Sequence, residues 1–173
     1  MGNDKRKFHL ALLVLVLTLI CVSSSEAQGP KNKDLGFGLI LGDPSGVTLK
    51  YWTSRENAFD FYVGSSYFGN IRIGGDYLWH FDAFNSRIVK MYAGLGIAVG
   101  IGNGKGIWYK EDKHKFYYWE DDELGFGARA IFGINFIPRN TPLEIFFELG
   151  PMMGISPNYG VNIDAALGIR FYP

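Results

Sequence analysis

The residues able to do chemistry are few and poorly spaced for it. Glycines at 100, 102, 104 and 106 in GIGNGKG have the density of a phosphate-cradling loop. They lack both the strand-loop-helix setting and the Lys-Ser/Thr ending that such a loop requires, so they read as the start of a flexible connection. His9, His80 and His114 are the only histidines and Cys21 the only cysteine, too scattered for a metal cluster. Glu144 and Glu148 form a pair of carboxylates. Four residues along a strand separate them by roughly 13 Å, beyond the roughly 5–9.5 Å of glycosidase pairs. No catalytic, cofactor-binding or metal-ligating residue is therefore assigned, no cofactor is expected, and the chain does not read as an enzyme.

The elements that would position such groups are strands. Beyond residue 34 apolar residues recur at every second position, which no helix would do. Eight segments result: 35–42, 47–53, 58–65, 71–81, 87–101, 124–137, 143–150 and 161–172. In the fifth, Val89, Met91, Ala93, Leu95, Ile97, Val99 and Ile101 alternate with Lys90, Tyr92, Gly94, Gly96, Ala98 and Gly100. In the sixth, Leu124, Phe126, Ala128, Ala130, Phe132, Ile134 and Phe136 share one face, and the eighth repeats the scheme from Val161 to Phe171. The fold class predicted is all-β, an eight-stranded antiparallel up-and-down barrel.

Comparing faces decides which way that barrel turns. The apolar face carries no charge. The other holds Lys50, Asp60, Arg72, Asp76, Lys90, Arg129, Glu144, Glu148, Asp164 and Arg170, five cations against five anions. A soluble barrel would turn hydrocarbon inward and scatter charges outward. The even balance, interspersed with glycines and aromatics, predicts instead a transmembrane barrel with a filled polar interior, since eight strands leave room only for side chains. Opposed charges inside offset the several kcal/mol that each would cost alone. A plugged barrel is expected, not a pore.

The ends and composition fit export. Lys5, Arg6 and Lys7 precede an apolar run, residues 8–22, and then SSSEAQ. That run is shorter than the roughly twenty residues of a membrane-spanning helix and has the order of a secretory signal, with Ser25 and Ala27 suiting cleavage after Ala27. Lipidation at Cys21 is disfavoured because Ile20 is not small. The organisation expected is a cleaved signal peptide over 1–27, a short periplasmic segment over 28–34 and a barrel over 35–173. Of 17 Lys plus Arg and 17 Asp plus Glu, removing Lys5, Arg6, Lys7, Asp4 and Glu26 leaves 14 against 15, so no basic field exists to bind nucleic acid. The mature part would hold no cysteine, which removes thiol chemistry and disulfides. The 23 glycines and 28 aromatics suit strands and tight turns.

With the first strand rising from the periplasm, the connections 54–57, 82–86 and 138–142 lie on the periplasmic side. The connections 43–46, 66–70, 102–123 and 151–160 face outward, and the last two are the longest. Short periplasmic turns and longer outer loops are the rule for these barrels. Tyr77, Trp79, Phe81, Phe136 and Phe171 fall near the periplasmic strand ends, where an aromatic girdle belongs.

GFGLILGDPSGVTLKYW, GGDYLWHF, PLEIFFELGPMMGISP and the ending DAALGIRFY resemble an uncharacterised family of small bacterial outer-membrane β-barrel proteins. They resemble more distantly the eight-stranded OmpA-like and OmpX-like domains. The resemblance implies the fold and the bacterial outer membrane, with outer-membrane lipid and, during biogenesis, the barrel-assembly machinery as partners. It supplies no catalytic residues. Such chains usually end in an aromatic that the machinery reads, whereas here Pro173 follows Phe171 and Tyr172.

The outer connection 102–123 interleaves Trp108, Tyr109, Phe116, Tyr117, Tyr118 and Trp119 with charges of both signs. Pairing across an extended hairpin explains these aromatics, and contact with an extracellular partner is the functional alternative. The function expected is a structural or surface-interaction barrel. Two alternatives are a lipid-modifying enzyme, which would need a polar catalytic group on the apolar face or a lateral opening into an apolar cavity, and a soluble lipocalin-like barrel, which would need an apolar cavity.

Overall fold

The computed structural model describes residues 34–102, 124–138, 141–157 and 159–173. The segment 1–33, which holds the expected signal peptide and most of the periplasmic segment, lies outside them, as do residues 103–123 and therefore Trp108, Tyr109, Phe116, Tyr117, Tyr118 and Trp119.

Eight strands follow in order: β1 (Leu35–Gly42), β2 (Ser45–Trp52), β3 (Asn57–Ser66), β4 (Gly69–Phe81), β5 (Val89–Ile101), β6 (Leu124–Phe136), β7 (Leu143–Ser156) and β8 (Gly160–Phe171). Each pairs antiparallel with its neighbours, and β1 with β8 closes the barrel. Closure leaves backbone groups paired on both sides along most of the wall. Starting from Gly38 and moving from partner to partner leads through Thr48, Tyr62, Gly74, Ala98, Gly127 and Gly154 to Gly160. Gly38's own partner on β8 is Arg170, ten residues away from Gly160. That stagger is what forces strands to tilt, by roughly 35–45° in such barrels.

Turn chemistry closes the hairpins. Gly42 has φ of +126° and Gly69 +119°, a region that side chains avoid. Ser45 Oγ accepts from Gly42 N–H at 2.9 Å and donates to Gly42 O at 2.7 Å. At the other end Asp82 Oδ1 accepts from Ser86 N–H at 3.0 Å, tying the β4–β5 turn.

Most strand ends fall within two residues of the sequence expectation; β7 does not. Residues 151–160, expected as a long outer loop, are mainly strand, and the β7–β8 connection is only 157–159. Proline was the misleading residue. Pro151 pairs with Ile163 of β8, while the β6–β7 ladder skips from Arg129↔Met152 to Phe132↔Leu149. Proline has no N–H to give, and the strand continues because its other neighbour holds it. Of the two long outer connections expected, 151–160 is thus corrected, and 102–123 lies outside the described residues but for Gly102.

Alternation sorts the faces. Leu95, Phe132 and Leu167 point outward and are 59%, 47% and 52% exposed, whereas Arg129 and Glu148 are each 3% exposed. Among the described strand residues the outward face carries no Asp, Glu, Lys, Arg or His. Aromatics gather at its lower end, near the β2–β3 and β4–β5 turns. Tyr77 stands edge-on to both Phe59 and Trp79 at 5.0 Å between ring centres, and Phe37 to Phe171 at 6.0 Å.

Candidate functional site

The inward face is where the chain concentrates its polar chemistry. Every one of the ten charges assigned to it is 5% or less exposed. A water-filled lumen would wet these walls, so the interior is packed with side chains.

Three levels can be distinguished along the axis. At the lower end, Lys50 Nζ lies 2.8 Å from Glu144 Oε1, which also accepts from Asn135 Nδ2 at 2.8 Å. Tyr172 donates to Glu144 Oε2 and accepts from Trp52 Nε1 at 3.1 Å. Lys50 also donates to His80 Nε2 at 2.9 Å. An ammonium has no acceptor, so the His80 ring proton sits on Nδ1, facing Glu56 O at 3.2 Å. In the middle, Arg170 binds Asp60 and donates to Thr48 Oγ1 at 2.9 and 3.1 Å, with its guanidinium 3.7 Å above the Phe146 ring. Thr48 donates in turn to Asp60 Oδ1 at 2.9 Å.

The upper level centres on Arg129. Its Nε, Nη1 and Nη2 reach Asp76 Oδ1, Asp164 Oδ2 and Glu148 Oε1 at 3.0, 3.1 and 2.9 Å. Arg72 grips Asp164 through both terminal nitrogens at 3.2 and 2.6 Å and donates from Nε to Tyr62 OH at 3.1 Å. Tyr92 OH meets Glu148 Oε2 at 3.3 Å. Lys90 stands apart from this network, bonding Asp82 Oδ2 at the lower rim at 3.0 Å. That bond, the largest influence on it, holds the partly buried Asp82 carboxyl below its usual range.

Glycines make the room. A Cβ on Gly133 would lie 2.1 Å from Tyr92 Cζ, one on Gly74 2.1 Å from Tyr62 OH, and one on Gly36 2.5 Å from Tyr172. Each buried tyrosine thus occupies space left by a missing side chain on a facing strand. Above the network the β3–β4 turn dips inward. Phe68 packs with Ala98 and Met152, and Tyr67 OH donates to Asp164 across the mouth.

The sequence reading missed Thr48, Tyr62, Tyr67, Tyr92, Asn135 and Tyr172 as partners of these charges. Face assignment was available from alternation for most of them, but pairing depends on the stagger between strands. The interior charges hold one another by short contacts. Among the described residues, no group of three or more His, Cys, Asp or Glu could hold a metal ion.

No protein-family model matches the chain, and no curated protein matches it. Among solved structures, it is similar to the N-terminal β-barrel domain of OprF from Pseudomonas aeruginosa. The identity is 13%, the TM-score 0.57, and the match covers 82% of this chain and 98% of that one. At that identity the likeness concerns the fold, which both share as a closed barrel.

Proposed function

We propose that this protein is a structural or surface-interaction barrel of the bacterial outer membrane, exported by the signal peptide at 1–27. The observation that carries the reading is the uncharged hydrocarbon surface over all eight strands, wrapped around an ionic interior. Monomeric soluble proteins rarely expose apolar patches beyond a few hundred Å². Strands β4 to β8, at 12 to 14 residues, exceed the roughly 9–11 residues that a tilted strand needs to cross a bilayer. The OprF-like fold supports the same location. A lipocalin-like role needs an apolar cavity where this barrel places arginines and carboxylates.

The test is fractionation followed by gel electrophoresis with and without boiling. Recovery with outer-membrane vesicles and a heat-dependent shift in mobility are expected. Release by carbonate, with no shift, refutes the location. Surface contact is assigned to the 102–123 connection and its six aromatics. Deleting residues 105–121 is expected to preserve the heat-dependent shift and to weaken cell adhesion, and unchanged adhesion refutes that role.

A further inference from the structure

The barrel wall is not level at its upper rim. β1 ends at Gly42, opposite Ala166, and Asp43 N–H adds a last bond to Ala165 O at 2.9 Å. β8 runs on upward to Gly160, paired only with β7. On the far side of the β1–β2 hairpin, β3 continues to Ser66. The result is a step in the wall about two strands wide. Its sides are the β8 edge and β3, and its floor is the Gly42–Ser45 turn. Six residues of β8 at ~3.3 Å rise and ~40° tilt make it roughly 12–15 Å deep.

Two properties of this step conflict in a bilayer. Ala165 O points toward β1, so the peptide groups of Ile163 and Val161, two and four residues on, point into the step. Ile163 N–H is met by its neighbour Asn162 Oδ1 at 2.8 Å. Among the described residues no strand lies beside the Ile163 and Val161 carbonyls or the Val161 N–H. Yet Ile163 is 63% exposed, and Met153, Ile155, Phe126 and Leu124 present hydrocarbon around the rest of the upper rim. Lipid chains must reach that height there, and unpaired backbone does not face lipid chains. A polar group must therefore descend into the step.

Its chemistry follows from what the step offers. Carbonyls need donors, and the Val161 N–H needs an acceptor. Asp43, at the floor, is hydrogen-bonded to Ser66, lies 3.4 Å from Tyr67 N–H through Oδ2 and 3.8 Å from Arg72 through Oδ1, and keeps its side chain 23% exposed. An ammonium could only donate and a phosphate could only accept, whereas sugar hydroxyls do both. Below the floor Leu41, at 67% exposed, and Val47 offer an apolar bed.

Resting on the membrane reading above, we propose that the step between β8 and β3 holds the saccharide head of an outer-leaflet glycolipid. Its hydroxyls bond Val161, Ile163 and Asp43, and its acyl chains lie on Leu41 and Val47.

The test is native mass spectrometry of the full chain refolded in detergent. The probes are a diglucosyl diacylglycerol, a phosphatidylethanolamine and a phosphatidylcholine with matched acyl chains. One retained glycolipid is expected, favoured over the choline lipid by roughly tenfold, the worth of one or two hydrogen bonds. Asp43→Ala and Val161→Pro, which removes an N–H pointing off the sheet, should each cut that preference severalfold while the heat-dependent shift persists. Equal retention of the three lipids, preference for the ethanolamine head, or dimers without lipid overturns the inference. So does a preference that both variants leave intact. A chain that stays soluble without detergent instead refutes the membrane reading itself.

Discussion

Replacing Arg129 with Met tests whether the interior is an ionic core. Arg129 touches three carboxylates, but their losses differ. Asp164 keeps Arg72 at 2.6 Å, and Glu148 keeps the Tyr92 hydroxyl at 3.3 Å. Asp76 loses its cation, and its Oδ2 already lacks a hydrogen-bond partner. The expected cost is that of one stranded buried carboxylate, about 3–5 kcal/mol. It follows that Asp76→Asn, which removes the stranded charge, should recover much of the loss. The double variant should be more stable than the sum of the two singles implies, by about 0.5–3 kcal/mol. Urea titration of the barrel in lipid vesicles, read by gel mobility, measures all four corners of the cycle. A cost below about 1 kcal/mol for Arg129→Met, or strictly additive effects, refutes the reasoning.

Three further outcomes are expected. Leu95, midway along β5, should tolerate Ala far better than Arg in the same vesicle titration, because a cation on the lipid face at mid-height costs about 2–4 kcal/mol. Gly133→Ala drives a Cβ into the wholly buried Tyr92 ring and should cost about 1–3 kcal/mol in that titration, as overpacking does. The Asp82–Lys90 contact sets a pH dependence. A carboxyl held below its usual range stabilises the fold above its unfolded pKa of about 4, and that contribution fades as pH falls through the lower folded value. The urea midpoints of the native chain and Asp82→Asn should therefore differ at pH 6 and converge toward pH 3.

Much of this architecture can be read from alternation alone, because a strand's period of two assigns each residue to a face whatever its neighbours are. Leu95 and Arg129 needed no more than that. Partner choice needed more, since Arg170 meets Asp60 across 110 positions only through a particular stagger, and nothing local encodes it. Pro151 hid the upper half of β7 because a proline inside a run normally argues against a strand. Tyr67 and Phe68 sit in a turn, where no alternation tells inward from outward. The step in the rim was invisible for a related reason: it is a difference between strand ends, where boundaries are hardest to place.

The join between β1 and β8 is as short as the β1–β2 ladder, the two shortest in the barrel, but carries much of the interior. It holds six residue pairs against thirteen between β5 and β6. Arg170 in β8 and Tyr172 just beyond it supply the cation for Asp60 and a donor for Glu144. Docking of β8 against β1 therefore brings Asp60 its paired guanidinium and adds a donor to Glu144, which Lys50 and Asn135 also serve. Until then two strand edges stay open and charges lie unneutralised, so partly zipped forms gain little, and insertion favours an all-or-nothing event.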